Sequence, residues 1–367
     1  MAEQTSEVFI PPHRLAGSRT ASPRNAQTRM IAAVNPPTPA GPGSHIRIVS
    51  PGMPTLMHVP ERGERAEAAL RGLGFEVSYG RHAFGFSADG LAAGTPEEQA
   101  ADIMEAFADA SVDAILVSDA GGGSLKLLPL LDPAVIQANP KPFVGFCDTV
   151  FLHQYLADLG VASYSGCSLM FHLGNVPAPF PETTEYLARA LSGVGPLVCG
   201  PVGDRAEPVA SWHIPEIEGA PRVRDHASGW HWLRPGTGTG PLVGGELSLL
   251  PELVRRFGIR FDSALLWWDV TEEQAAPVDE LFDALARETD LSLLAGMVVG
   301  ANPRVTPEEW VRQVGAAFER HVPEAGYPVL VNADICHMTP SWTLPYAETA
   351  VLDSERGLIL PRTAVDR

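Results

Sequence analysis

Cysteine is scarce in this chain, with four residues in 367: Cys147, Cys167, Cys199 and Cys336. So few thiols, with no C-x-x-C pair, exclude a disulfide scaffold and argue against a thiolate zinc site. Basic charge is short as well. Lys and Arg number 26 against 44 Asp and Glu, a net charge of −18. Binding to nucleic acid or to an anionic membrane surface rests on Lys and Arg, so neither partner suits this composition. No apolar run in the sequence approaches the ~20 residues that span a bilayer. Phosphate-binding signatures are lacking too. GTGTG has no Lys-Ser/Thr after it, and AGGGS fits G-x-G-x-x-G poorly, so no nucleotide cofactor is expected.

What is there suits a reduced, cytoplasmic, enzyme-like protein. Hydrophobic residues make up 45% and charged residues 19%, enough to bury a core. The length fits two domains of roughly 100–200 residues. Residues 1–45 are rich in Pro, Ser, Ala, Thr and Arg and read as a disordered extension. Their apolar stretch, Met30–Val34, is shorter than the ~7–15 residues of a secretory signal core. From His45 onward, short β-rich runs (HIRIVSP, GFEVSYG, DAILVSDA, KPFVGFC) alternate with helical patterns. In TPEEQAADIMEAFADA, Thr95, Pro96 and Glu98 form a capping-box start. This alternation predicts an α/β fold with a mostly parallel sheet in an N-terminal domain, residues 46–200. A Gly/Pro-rich connection leads into a second domain, residues 201–360, followed by a tail over 361–367.

In such folds, working residues gather at the carboxyl ends of strands. Gly145-Phe146-Cys147-Asp148 follows the strand PFVG and opens a helix. A G-x-C turn of this kind resembles a nucleophile elbow, and the helix start favours a thiolate at Cys147. A buried, inert thiol is the alternative. His337, just past the strand YPVLVNADI, is a candidate general base, with a structural histidine as the alternative. No metal site is expected at Cys336–His337, because further ligands at suitable spacing are lacking. The N–H groups of Ala120–Ser124 could supply half of an oxyanion hole. Glu246, Asp269 and Glu272 are candidate carboxylates near strand ends. Adjacent Trp267 and Trp268 should face opposite sides of their strand.

Taken in order, six segments resemble the LD-carboxypeptidase family, which includes the microcin C self-immunity peptidases. They are HIRIVSPGMP, the AAGTPEEQ…DAIL segment, AGGGSLKLLPLLD, NPKPFVGFCDTVFLH, GPLVGGELSLL and ADICHMTPSWTLP. The resemblance implies a flavodoxin-like or class I amidotransferase-like N-terminal domain carrying the nucleophile. It also implies an LD-carboxypeptidase-type C-terminal domain and a Ser-His-Glu triad that cleaves an amide beside a free carboxylate. Residue by residue, the nucleophilic serine falls on Cys147 and the histidine on His337. The glutamate falls on Trp268, with Asp269 next to it, and an asparagine falls on Glu246. The family's oxyanion positions fall on Gly121 and Asp148. Gly122, Ser124 and Trp268 are expected to line the substrate groove.

Three functions follow from this carry-over. One is a cysteine enzyme that acylates Cys147, uses His337 as base, and hands the acyl group to water or to an amine. Asp269 or Glu246 would orient His337, and the tryptophans would restrict water. The second is plain hydrolysis of a different small-molecule or short-peptide amide. The third is a non-catalytic binding homologue. A homodimer and a role in specialised metabolism are further expectations of the resemblance and of its departures.

Overall fold

The computed structural model describes residues 29–34, 38–206, 215–271, 276–335 and 337–362. Cys336, Glu272 and the first 28 residues, which the sequence places in a disordered extension, lie outside this set.

Two sheets organise the chain. The first has strand order Leu344–Tyr346, Ser163–Ser165, Phe143–Gly145, Ala114–Val117, His45–Val49 and Glu76–Tyr79. All of its neighbours pair in parallel except Leu344–Tyr346, which runs antiparallel to Ser163–Ser165. Ala114–Val117 and Phe143–Gly145 are buried throughout, as expected for parallel strands covered on both faces. The helix Pro96–Ala108 carries the capping box read from the sequence. Thr95 Oγ1 accepts from the Glu98 N–H at 3.3 Å and Glu98 Oε2 from the Thr95 N–H at 2.8 Å.

The second sheet runs Leu197–Cys199, Gly357–Leu360, Thr349–Asp353, Thr237–Glu246, Leu265–Asp269, Gly296–Gly300, Val329–Ala333 and His231–Arg234. Its four strands from Thr237–Glu246 to Val329–Ala333 are parallel. The helices Val278–Ala286 and Pro307–His321 follow two of them. One apolar cluster extends from Ile103, Phe107 and Phe143 to Trp268, Val299 and Trp310, so the two sheets share a core. Gly245 permits their close approach, since a Cβ there would meet the Val150 side chain at 2.9 Å.

The domain boundaries expected from sequence need correction in four places. Leu197–Cys199 pairs with Gly357–Leu360 and so belongs to the second sheet. Leu344–Tyr346 belongs to the first sheet although it lies far along the chain. The described end of the extension is packed: Arg29–Met30 pairs with Ile259–Arg260, and Ile31 and Ala40 are buried. Arg362, placed in the tail, is buried against Glu348 at 3.2 Å. Short apolar or paired segments inside Pro-rich sequence carry too weak a periodic signal to reveal this packing.

Candidate active site

The strand Phe143–Gly145 ends in Phe146, extended at φ −151°. Cys147 then turns sharply at φ +56°, before a short 3₁₀ turn (Cys147–Thr149) and the helix Val150–Asp158. A left-handed non-glycine residue costs backbone energy and persists only where the surrounding structure holds it. Gly145 makes the turn feasible, because a Cβ there would come within 2.8 Å of Thr149 Oγ1. The elbow leaves Cys147 partly exposed, whereas Cys167 and Cys199 are buried.

His337 reaches this thiol because the chain crosses between the sheets at that point. Val329–Ala333 lies in the second sheet and Leu344–Tyr346 in the first, and His337 sits on the connection. The connection is pinned on both sides. Asp334 is buried and accepts from Trp230 Nε1 at 2.9 Å, with Arg205 at 3.5 Å. Ser341 Oγ donates to the Gly166 carbonyl at 3.0 Å.

The imidazole of His337 is gripped by Asp269. Asp269 Oδ2 accepts from His337 Nδ1 at 2.5 Å and from the His337 backbone N–H at 3.1 Å. With Nδ1 so occupied, the other ring nitrogen is the one left for the Cys147 thiol, which acts electrostatically on the imidazole. Phe146 and Phe171 flank the ring, with centroids at 5.0 and 6.1 Å. Burial opposes the imidazolium, but the Asp269 charge and the hydrogen bonds to Asp269 and Cys147 outweigh it and lift the pKa well above 6.5. Burial pushes the Cys147 thiol up. The His337 hydrogen bond and charge pull it back only in part, while Asp148 and Glu246 add to the rise. Burial thus works against the thiolate expected at the helix start, and the His337 charge works for it.

Asp269 ends its strand in register with Glu246, which ends the neighbouring one. Glu246 is buried, with Oε1 accepting from the Ser248 N–H at 3.1 Å and Oε2 from Ser248 Oγ at 2.5 Å. Burial raises its pKa, as does the nearby Asp269, while the Ser248 bonds and His337 lower it.

Cys147, His337 and Asp269 thus come together, and Glu246 adjoins them. Trp268 does not. Its side chain is fully buried, with ring centroids 6.0 Å from Phe282 and 6.2 Å from Trp310. It cannot line a groove, and Trp267 is buried in a separate cluster. Strand alternation explains the correction: consecutive residues face opposite sides, and Asp269 rather than Trp268 faces His337. Two glycine-loop expectations also change. The Asp148 carboxylate accepts from the N–H groups of Gly121 (2.9 Å), Gly123 (2.8 Å) and Ser124 (3.0 Å). Gly121 is therefore not free to hold an oxyanion. Ser124 is buried, and its hydroxyl donates to the Asp148 carbonyl rather than to a ligand. Among the described residues, the N–H groups of Asp148 and Gly122 donate to no protein acceptor, and Gly122 is exposed. The Asp148 clamp has no signature in the sequence, since its partners are main-chain groups of any residue type. An Asp148→Asn chain offers one acceptor oxygen for three donors. Amide exchange at Gly121, Gly123 and Ser124 is expected to quicken about tenfold or more, read by hydrogen-exchange mass spectrometry.

Asp119, next to the loop, is buried with Oδ2 unpartnered among the described residues. Burial pushes its pKa up to about 7. The unfolded chain releases this proton near pH ~4, so the native state binds more protons between the two values and loses stability as the pH rises through them. Asp119→Asn is expected to melt above wild type at pH 8, with the gap closing towards pH 4.

The two-sheet α/β fold with a sharp strand-to-helix turn at Cys147 defines the class. The chain belongs to the LD-carboxypeptidase family: the model of the N-terminal domain matches residues 46–166 and that of the C-terminal domain residues 239–352. Among curated relatives, a Streptomyces coelicolor chain with a provisional carboxypeptidase name is 29% identical over 341 residues. That match covers 90% of this chain and 97% of the relative. The microcin C7 self-immunity protein MccF of Escherichia coli is 23% identical, covering 86% and 92%. Among solved structures, an MccF-like protein from Bacillus anthracis superposes with a TM-score of 0.78 at 24% identity, covering 90% of this chain and 99% of that one. Among the described residues no helix is long and apolar enough to cross a membrane.

Proposed function

We propose that this member of a carboxypeptidase family cleaves a peptide or related small amide in the cytoplasm through a thioester on Cys147. The observation that carries this reading is the 2.5 Å contact between His337 Nδ1 and Asp269, on an imidazole whose charge acts on the Cys147 thiol. A carboxylate adjacent to the position where the family resemblance places the glutamate supports this reading over a non-catalytic homologue.

His337 takes the thiol proton as Sγ bonds to the carbonyl carbon, and Asp269 stabilises the imidazolium. The N–H groups of Asp148 and Gly122 receive the developing oxyanion. The C–N bond then breaks as His337 returns the proton to the leaving amine. Water attacks the thioester, giving its proton to His337, and the C–S bond breaks to regenerate the thiol. Burial of both tryptophans takes away the water-restricting surface that would favour aminolysis, so hydrolysis is the reading supported.

Iodoacetamide labelling of each cysteine, followed by peptide mass spectrometry across pH, tests this. Cys147 is expected to label faster than Cys167 and Cys199, with the rate climbing as the pH rises, and to slow about tenfold in His337→Ala at pH 7.5. Labelling indifferent to His337 sinks the catalytic reading.

A further inference from the structure

The candidate site is anionic. The charges acting most strongly on Cys147, Glu246 and His337 are those of one another, of Asp148 and of Asp269, with no Lys or Arg among them. Glu246 and Asp269 end neighbouring parallel strands side by side. Their hydrogen bonds leave room for one more donor. Among the described residues, Glu246 is bound by Ser248 alone. Asp269 gives Oδ2 to both His337 donors, while its Oδ1 is buried without a partner among the described residues. Two buried carboxylates set together, one with an unmet oxygen, repel each other unless a cation or a proton donor joins them. His337 brings positive charge to the pair but no second ring N–H to Oδ1, since its Nδ1 is spent on Oδ2.

We propose that the site takes a substrate carrying a protonated amine close to its scissile acyl group, and that Glu246 is the residue selecting it. The ammonium lies against the Glu246 carboxylate, on the side not held by Ser248, and offers its remaining protons towards Asp269 Oδ1. An ammonium offers three donors and no acceptor, which fits a pocket of acceptors. A substrate with a carboxylate at this place meets two like charges in a poorly solvated setting and is rejected. The inference rests on Cys147 being the nucleophile, and it adds the chemistry of the group beside the reacting carbonyl.

Charge-coded alkylating agents test it without knowledge of the natural substrate. Iodoacetate, iodoacetamide and N-(2-aminoethyl)-iodoacetamide are compared on Cys147 at pH 7.5, each rate divided by its rate with 2-mercaptoethanol. The normalised cation-to-anion ratio is expected to reach about tenfold in wild type, which corresponds to about 1.4 kcal/mol. It should fall about fivefold or more in Glu246→Gln, which keeps the shape and an acceptor for Ser248. Glu246→Asp, with the charge retained, should keep most of the preference. Should Glu246→Gln fail to fold, the salt dependence decides: the wild-type ratio must shrink as ionic strength rises from about 0.02 to 0.5 M. A wild-type ratio of one or less, or an identical ratio in Glu246→Gln, overturns the selection while leaving the His337-dependent nucleophile intact. A Cys147 that reacts with none of the three reagents overturns both readings.

Discussion

Asp269→Asn is expected to cut peptide cleavage on the order of 10³-fold while leaving the protein folded. The measurement is release of the terminal residue from short peptides, with kcat and KM resolved separately. Asp269 Oδ2 is the acceptor for both His337 Nδ1 and the His337 backbone N–H. An asparagine retains an acceptor for one of these but removes the charge that lifts the imidazole pKa. The loss falls on the imidazolium formed during acylation, a state specific to the transition state, so kcat drops while KM changes little. Removing the equivalent carboxylate from a serine protease triad costs about 10⁴ in kcat, largely through the wrong tautomer. A thiol needs less activation than an alcohol, which sets the expectation lower. A loss under threefold would show that His337 works without its carboxylate.

Trp268 offers the second large effect, this time on stability. Trp268→Ala is expected to cost about 3–5 kcal/mol, because it empties a fully buried aromatic site. Trp268→Glu, which restores the residue type that family resemblance assigns to this position, is expected to do worse. A carboxylate there would be buried among Phe282 and Trp310, without a cationic partner in that apolar cluster. Chemical denaturation of both variants decides the matter. A Trp268→Glu protein as stable as wild type would mean that the side chain turns towards the groove, and that the register set out above is wrong.

The two tryptophans also mark what the sequence could convey. Strands and helices were readable wherever periodicity met clear start signals. His45–Val49, Ala114–Val117 and Pro96–Ala108 all appear where turn residues and the Thr95 cap place them. The elbow at Cys147 was readable because a strand, a glycine and a helix follow in close order. A one-residue shift in assignment escaped the sequence. Trp268 and Asp269 are neighbours in the chain, but the pleat sends their side chains to opposite faces. Three-dimensional pairing at the ends of the chain escaped it as well. Leu344–Tyr346 is a three-residue strand, and nothing in its composition says which of two sheets it joins. The Asp148 clamp on the glycine loop is made with backbone N–H groups, which carry no residue signature.

That three-residue strand has a consequence for how activity and folding are linked. His337 and Cys147 are 190 residues apart in sequence, and the proposed base is carried on a thread whose two ends are woven into different sheets. The thread leaves the second sheet at Ala333 and is tied into the first at Leu344. Its anchor is an outermost strand, held by pairing on one side only. Leu344–Tyr346 is nonetheless buried throughout, and Tyr346 donates to Gln154 Oε1 at 3.0 Å, so packing on the first sheet holds the segment that carries His337. Catalytic competence is then a fastener between the two halves. It stays closed only while both sheets hold their ends of the connection.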